Sequence, residues 1–218
     1  MRYLYLLPAA FLAPVIHEMV KALVSTAQGD PAPRKHGFLT ANPFKYFEPI
    51  GFFFIMLFGF GWGRPVPTTA LHYKDRRYGV IITYMAPVLA NLLLGVAAVA
   101  AVAVLATNRF GPTHYSIFEF LTTFPLWTSD VYQLSLILLA NFALVNLNLA
   151  LLNLIPVYPM AANKLLLTFS RPDNIARFNH YEKPMQIILI LLLAFEVVLH
   201  VFWPITSRII ILTWGLVV

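Results

Sequence analysis

Three residues near the start of the chain have the types that hydrolytic metal chemistry needs. In "PVIHEMVKAL", Pro14 to Leu23, His17 and Glu18 open the pattern His-Glu-x-x-His, but its last position is Lys21. Two imidazoles at i and i+4 share one helix face and can converge on one ion. Such an ion lowers the pKa of bound water to about 7, and the glutamate beside the first histidine serves as the base. Here an ammonium stands where the second imidazole is needed. Taken alone the pattern is a weak signal. A His beside a Glu in one helix arises by chance, and a single buried histidine is more often a packed, hydrogen-bonded residue than a ligand.

The elements that hold these residues are written in the composition. Of 218 residues, 60% are hydrophobic and 11% charged, far too apolar for a soluble domain of this length. The reading is an all-α polytopic membrane protein forming a single membrane domain. Cysteine is absent, which excludes disulfides and thiolate metal sites. The formal charge of +6 fits basic loops on one membrane face rather than nucleic-acid binding. Residues 1–24 form the first helix. His17, Glu18 and Lys21 stand where a cleavable signal peptide would be uncharged, so the helix is expected to be retained.

Residues 25–78 read as a polar loop region interrupted by "IGFFFIMLFGF", about half a spanning length and so re-entrant or interfacial. Residues 79–106 and 131–158 are the second and third core helices, the latter broken by Pro156 and Pro159. The connector of residues 107–130 carries Phe and Trp suited to an interface. A basic loop follows the third helix. Residues 184–218 hold the C-terminal helices, read as one span to Trp203, an interruption at "WPITSR", and a shorter last segment. The basic excess falls on the loop after the first helix and the loop after the third. Both are expected to be cytoplasmic, with the N-terminus outside, in a prokaryotic cytoplasmic membrane.

Further motifs follow His17 and Glu18 in order: "GDPAPRKHGFLTANPFKYFEPIG", "FGWGRPVPT", "APVLANLLLG" and "NLNLALLNLIPVYPM". The series resembles the small membrane-embedded metalloproteases of the site-2 protease (M50) family over roughly residues 14 to 190. The resemblance implies a helical core of about four to six transmembrane segments, with a re-entrant or short sheet-like region after the first helix. It also implies a zinc held by two histidines and an aspartate from a later helix. This chain departs from that set. Lys21 replaces the second histidine. Where the family reads Asn-x-x-Pro-x-x-Pro-Leu-Asp-Gly, "NLIPVYPMAAN" puts Ala161 at the aspartate. One imidazole and one carboxylate do not hold zinc tightly, and a protonated Lys21 repels it. The expectation is a pseudoprotease with no metal, no cofactor and no catalytic residues, its degenerate site being His17, Glu18, Lys21 and Ala161.

Glu18 and Lys21 are at i and i+3, close enough to pair. The expectation is that the ammonium takes roughly the place of the zinc, balancing Glu18 near His17. The alternative is that Lys21 snorkels to the interface. Asn91 matches a family asparagine thought to face the substrate groove, and its plainer role is interhelical hydrogen bonding. Asn146, Asn148 and Asn153 divide in the same way, and Asn153 also precedes a helix break whose freed backbone groups it can satisfy. Asn91, Asn148, Asn153 and Pro156 are thus partner-groove candidates. Glu196 and His200, at i and i+4 in the last span, are intramembrane charge candidates that either pair or face a partner. His36 and His72 read as solvated.

Functionally the sequence reads as a membrane-embedded scaffold or subunit of a larger complex. Its partners would be other transmembrane proteins and lipids, with no nucleic acid. The alternative is a divergent active zinc protease using non-standard ligands, for which His180 and Asn163 are the nearby candidates.

Overall fold

The computed structural model describes residues 2–110, 130–170 and 180–218. Most of the connector expected over 107–130, and the middle of the basic loop at 171–179, lie outside the described residues. The first apolar run forms helix α1, Arg2–Ala27, with Pro8 and Pro14 inside it. The long central run forms α4, Arg76–Phe110, with Pro87 inside. Its 35 residues rise about 52 Å, more than the roughly 30 Å of a hydrocarbon core. The third run forms α5, Val131–Leu152, started by Asp130, whose Oδ1 accepts from the Tyr132 amide at 2.9 Å.

Among the described residues, four helices are long and apolar enough to cross a membrane: Leu4–Ala27, Arg76–Phe110, Val131–Leu152 and Val197–Val217. The protein is an all-α polytopic membrane protein. Its largest apolar cluster joins α4 to α5 through small side chains. Ala98, Val102 and Ala106 meet Leu136, Ala140 and Ala143, and Ile210 closes the group. Small residues let helix backbones approach where lipid offers no hydrophobic drive for association. α1 lays Ala9, Ala10 and Ala13 against Val145 and Leu149 of α5.

Between α1 and α4 the chain forms a short helix α2, Ala32–Lys35, a 3-10 turn at Pro43–Tyr46, and helix α3, Pro49–Phe58. Ten residues rise about 15 Å, so α3 is long enough for only about half a bilayer. It ends at Gly59, where φ is +75° and a side chain would be strained. The chain then doubles back as an extended segment over residues 60–69. Gly51 makes this return possible, since a Cβ there would lie 2.0 Å from the Trp62 carbonyl oxygen. The region is therefore helical with an extended return; no strand forms among the described residues.

The C-terminal run differs from the sequence expectation. Helix α6, Ala161–Thr168, follows the third span, then α7, Glu182–Ala194, and α8, Val197–Val217. The break falls at Phe195 and Glu196, not at "WPITSR". Pro204 sits inside α8, and Glu196 takes a left-handed conformation with φ +58°. A proline inside a membrane helix is tolerated because neighbouring groups absorb the lost hydrogen bond. Pro204 leaves the His200 carbonyl without its helical amide donor, while its own carbonyl accepts from Ser207 Oγ at 3.0 Å.

Candidate functional site

α1 carries His17, Glu18 and Lys21 into the middle of the bundle, where they are only 4%, 5% and 5% exposed. Lys21 Nζ lies 2.8 Å from Glu18 Oε2 and 3.1 Å from Oε1. Lys21 thus pairs inside the protein instead of reaching out to the interface. The Tyr84 ring of α4 lies beneath the ammonium, its centroid 5.4 Å away, and a cation over an aromatic face is further stabilised when desolvated. Glu18 Oε2 also accepts the Val66 backbone amide at 2.8 Å. The carboxylate therefore holds both the lysine and the extended return segment. Gly63 lets that segment close on α1, since a Cβ there would stand 3.1 Å from Pro14 Cβ and 3.2 Å from Glu18 Cγ.

His17 turns elsewhere. Its Nδ1 donates to Asn91 Oδ1 at 2.7 Å, and Asn91 Nδ2 donates to Asn146 Oδ1 at 2.7 Å. Asn91 is fully buried and its amide joins α1, α4 and α5. Interhelical hydrogen bonding is what the structure gives it. Asn148 is used in the same way, its Nδ2 donating to the Gly59 carbonyl and its Oδ1 accepting from Thr206 Oγ1, each at 3.1 Å. Asn153 tends the end of α5. Its Oδ1 accepts from the Ala161 amide at 3.2 Å, and its backbone carbonyl accepts from the Ala162 amide at 2.9 Å. These bonds satisfy backbone groups freed by the helix break. Of the groove candidates only Pro156 is exposed.

Ala161 is buried against Val88 and Ala150. Nothing about it donates to a metal. The donor set does not fit the zinc that the family resemblance implies. Tight zinc binding in a hydrolase takes about three protein donors, and this pocket offers one imidazole, an ammonium and a methyl group, with the glutamate already committed. Among the described residues no group of three or more His, Asp or Glu side chains could hold a metal ion. Asn163 is 1% exposed with its Oδ1 unpartnered, and His180 sits at the start of the α7 region.

Glu196 and His200 do not join through their side chains. The His200 ring bonds the Glu196 backbone carbonyl at 2.9 Å, and the Glu196 carboxylate is exposed. A role the sequence did not show belongs to Asp30. It accepts from Ser25 Oγ, the Ala32 amide and the Thr69 amide at 2.7, 2.9 and 2.8 Å, fastening the loop to the end of α1. Its place two residues ahead of Ala32, the start of α2, was the only available hint.

The chain is 27% identical over 201 residues to a Bacillus subtilis (strain 168) protein named "Putative zinc metalloprotease YwhC". The match covers 92% of this chain and 84% of that protein. No family model and no solved structure matches the chain. A relationship over nearly the whole length supports the likeness to the site-2 protease family that the ordered motifs carry.

Proposed function

We propose that this protein is a catalytically inactive site-2-protease homologue that serves as a membrane-embedded binding subunit for other transmembrane proteins. One observation carries the reading: the buried Glu18–Lys21 ion pair at 2.8 Å. A carboxylate already bonded to an ammonium and a backbone amide is not free to position a water, and an ammonium one turn from His17 repels a divalent cation. Ala161 adds no donor. The binding role is supported by a groove of about 290 Å³ between α1, α3, α5 and α8. Leu6, Met56 and Leu144 give it apolar walls, and the exposed Glu196 gives it a polar point. Membrane partners use such polar points for orientation. The reading places the protein in a prokaryotic cytoplasmic membrane with its basic loops inside.

A second reading, a divergent zinc protease, is favoured by the name of the Bacillus subtilis relative. Elemental analysis of protein purified without chelator decides between them. The proposal expects far less than one zinc per chain and no cleavage of a transmembrane substrate in proteoliposomes. About one tightly held zinc, with cleavage lost to a chelator and restored by metal, overturns it.

A further inference from the structure

A cavity larger than this groove lies away from it, beyond the Tyr84 side of the ion pair. It encloses about 540 Å³, ample for a small headgroup, between the start of α4, the end of the extended segment and α6. Arg76, Arg77 and Lys164 line it, and among the described residues no carboxylate does. Lys164 pairs with Glu182 at 3.2 Å. Neither arginine has a carboxylate partner among the described residues. Asp75, beside them in sequence, spends its Oδ1 on the Tyr78 amide at 2.9 Å. The rest of the lining mixes apolar residues, among them the buried Val80 and Leu167, with the hydroxyls of Thr68, Tyr84 and Thr168. Residues that adjoin the lining in sequence are strongly exposed and apolar: Leu71 is 80% exposed and Phe169 is 64% exposed. Such side chains at the end of a membrane span belong in lipid, so the cavity opens at the bilayer surface rather than into bulk water.

We infer that this cavity binds the phosphate of an anionic phospholipid headgroup. The shared chemistry is a phosphate monoanion or diester. A guanidinium matches two phosphate oxygens in its planar fork. Two guanidiniums with no carboxylate partner among the described residues, beside the exposed apolar Leu71 and Phe169, suit a group that is anionic at one end and joined to acyl chains at the other. Basic pockets between spans at the charged membrane face recognise lipids in this way. The inference is independent of whether the protein cleaves anything.

The test uses the full-length protein in phosphatidylcholine nanodiscs, titrated separately with short-chain phosphatidylglycerol, glycerol phosphate and inorganic phosphate. Bound lipid is read by native mass spectrometry. The expected result is a preference for phosphatidylglycerol over phosphatidylcholine of about tenfold or more, lost in Arg76→Gln/Arg77→Gln and kept in Arg34→Gln/Lys35→Gln. Equal retention by wild type and the Arg76/Arg77 variant overturns the site. Saturable binding of inorganic phosphate without any preference between the lipids overturns the lipid assignment. A readout without mutation runs alongside: phosphatidylglycerol, and not phosphatidylcholine, should slow phenylglyoxal modification of Arg76 and Arg77. Equal modification in both lipids counts against the proposal even if the variant fails to fold.

Discussion

Lys21 Nζ sits 2.8 Å from Glu18 Oε2, one helical turn along α1, and both side chains are buried. Removing the ammonium leaves a carboxylate with one backbone amide for company. Lys21→Met should lower stability by about 3–5 kcal/mol, the cost of stranding a buried charge. Thermal unfolding in mild detergent reads it. Glu18→Gln/Lys21→Met should recover much of the loss, since both charges are then gone. An unchanged melting temperature in Lys21→Met would show that the pair is not formed.

Supplying the donor set of the site-2 proteases that the sequence resembles should confer metal affinity. Lys21→His alone gives two imidazoles and should stay nearly metal-free, because tight catalytic zinc needs about three protein ligands. Lys21→His/Ala161→Asp should hold about one zinc per chain by elemental analysis. If the single and double variants bind equally, the position of Ala161 has been misassigned.

Asn91 bonds His17 and Asn146, on two different helices. Asn91→Leu leaves a buried donor and a buried acceptor unmatched. The expected cost is about 1–3 kcal/mol, read as a lower melting temperature. Asn91→Asp should be tolerated no better, because Asn146 Oδ1 then faces an acceptor.

Gly51 meets the Trp62 carbonyl with no room for a methyl group. Gly51→Ala should force the extended segment off α3. The loss should reach at least about 3 kcal/mol, the upper end for overpacking. Limited proteolysis should then open new sites over residues 60–69.

Glu196 holds φ +58° with no side-chain cap bond. Glu196→Gly should raise stability by roughly 1 kcal/mol, because glycine bears no left-handed penalty. A melting temperature that falls instead would mean that the carboxylate has an essential contact.

The apolar runs made the first three spans legible, because a bilayer demands long uninterrupted helices. The i, i+3 spacing made the Glu18–Lys21 contact legible, because helix geometry alone sets it. Asn153 was readable for a similar reason, sitting beside prolines that must break a helix. The partner of His17 was not readable. Asn91 lies 74 residues away and only tertiary packing brings it there. The break at Glu196 also escaped, for the opposite reason: the local signals misled. Pro204 looks like a breaker and lies mid-helix, while the true break falls on a glutamate with no glycine or proline beside it. In both cases packing overrode local preference.

Because Glu18 and Lys21 belong to one turn of one helix, their charges cancel before any other helix is present. A nascent α1 leaving the insertion machinery therefore enters lipid with that turn already neutral. A zinc centre assembled from two separate helices has no such advantage, since its carboxylates wait uncompensated until the later helix and the ion arrive. Lys21, one turn from Glu18, thus favours insertion of α1 into lipid as well as charge balance in the finished bundle.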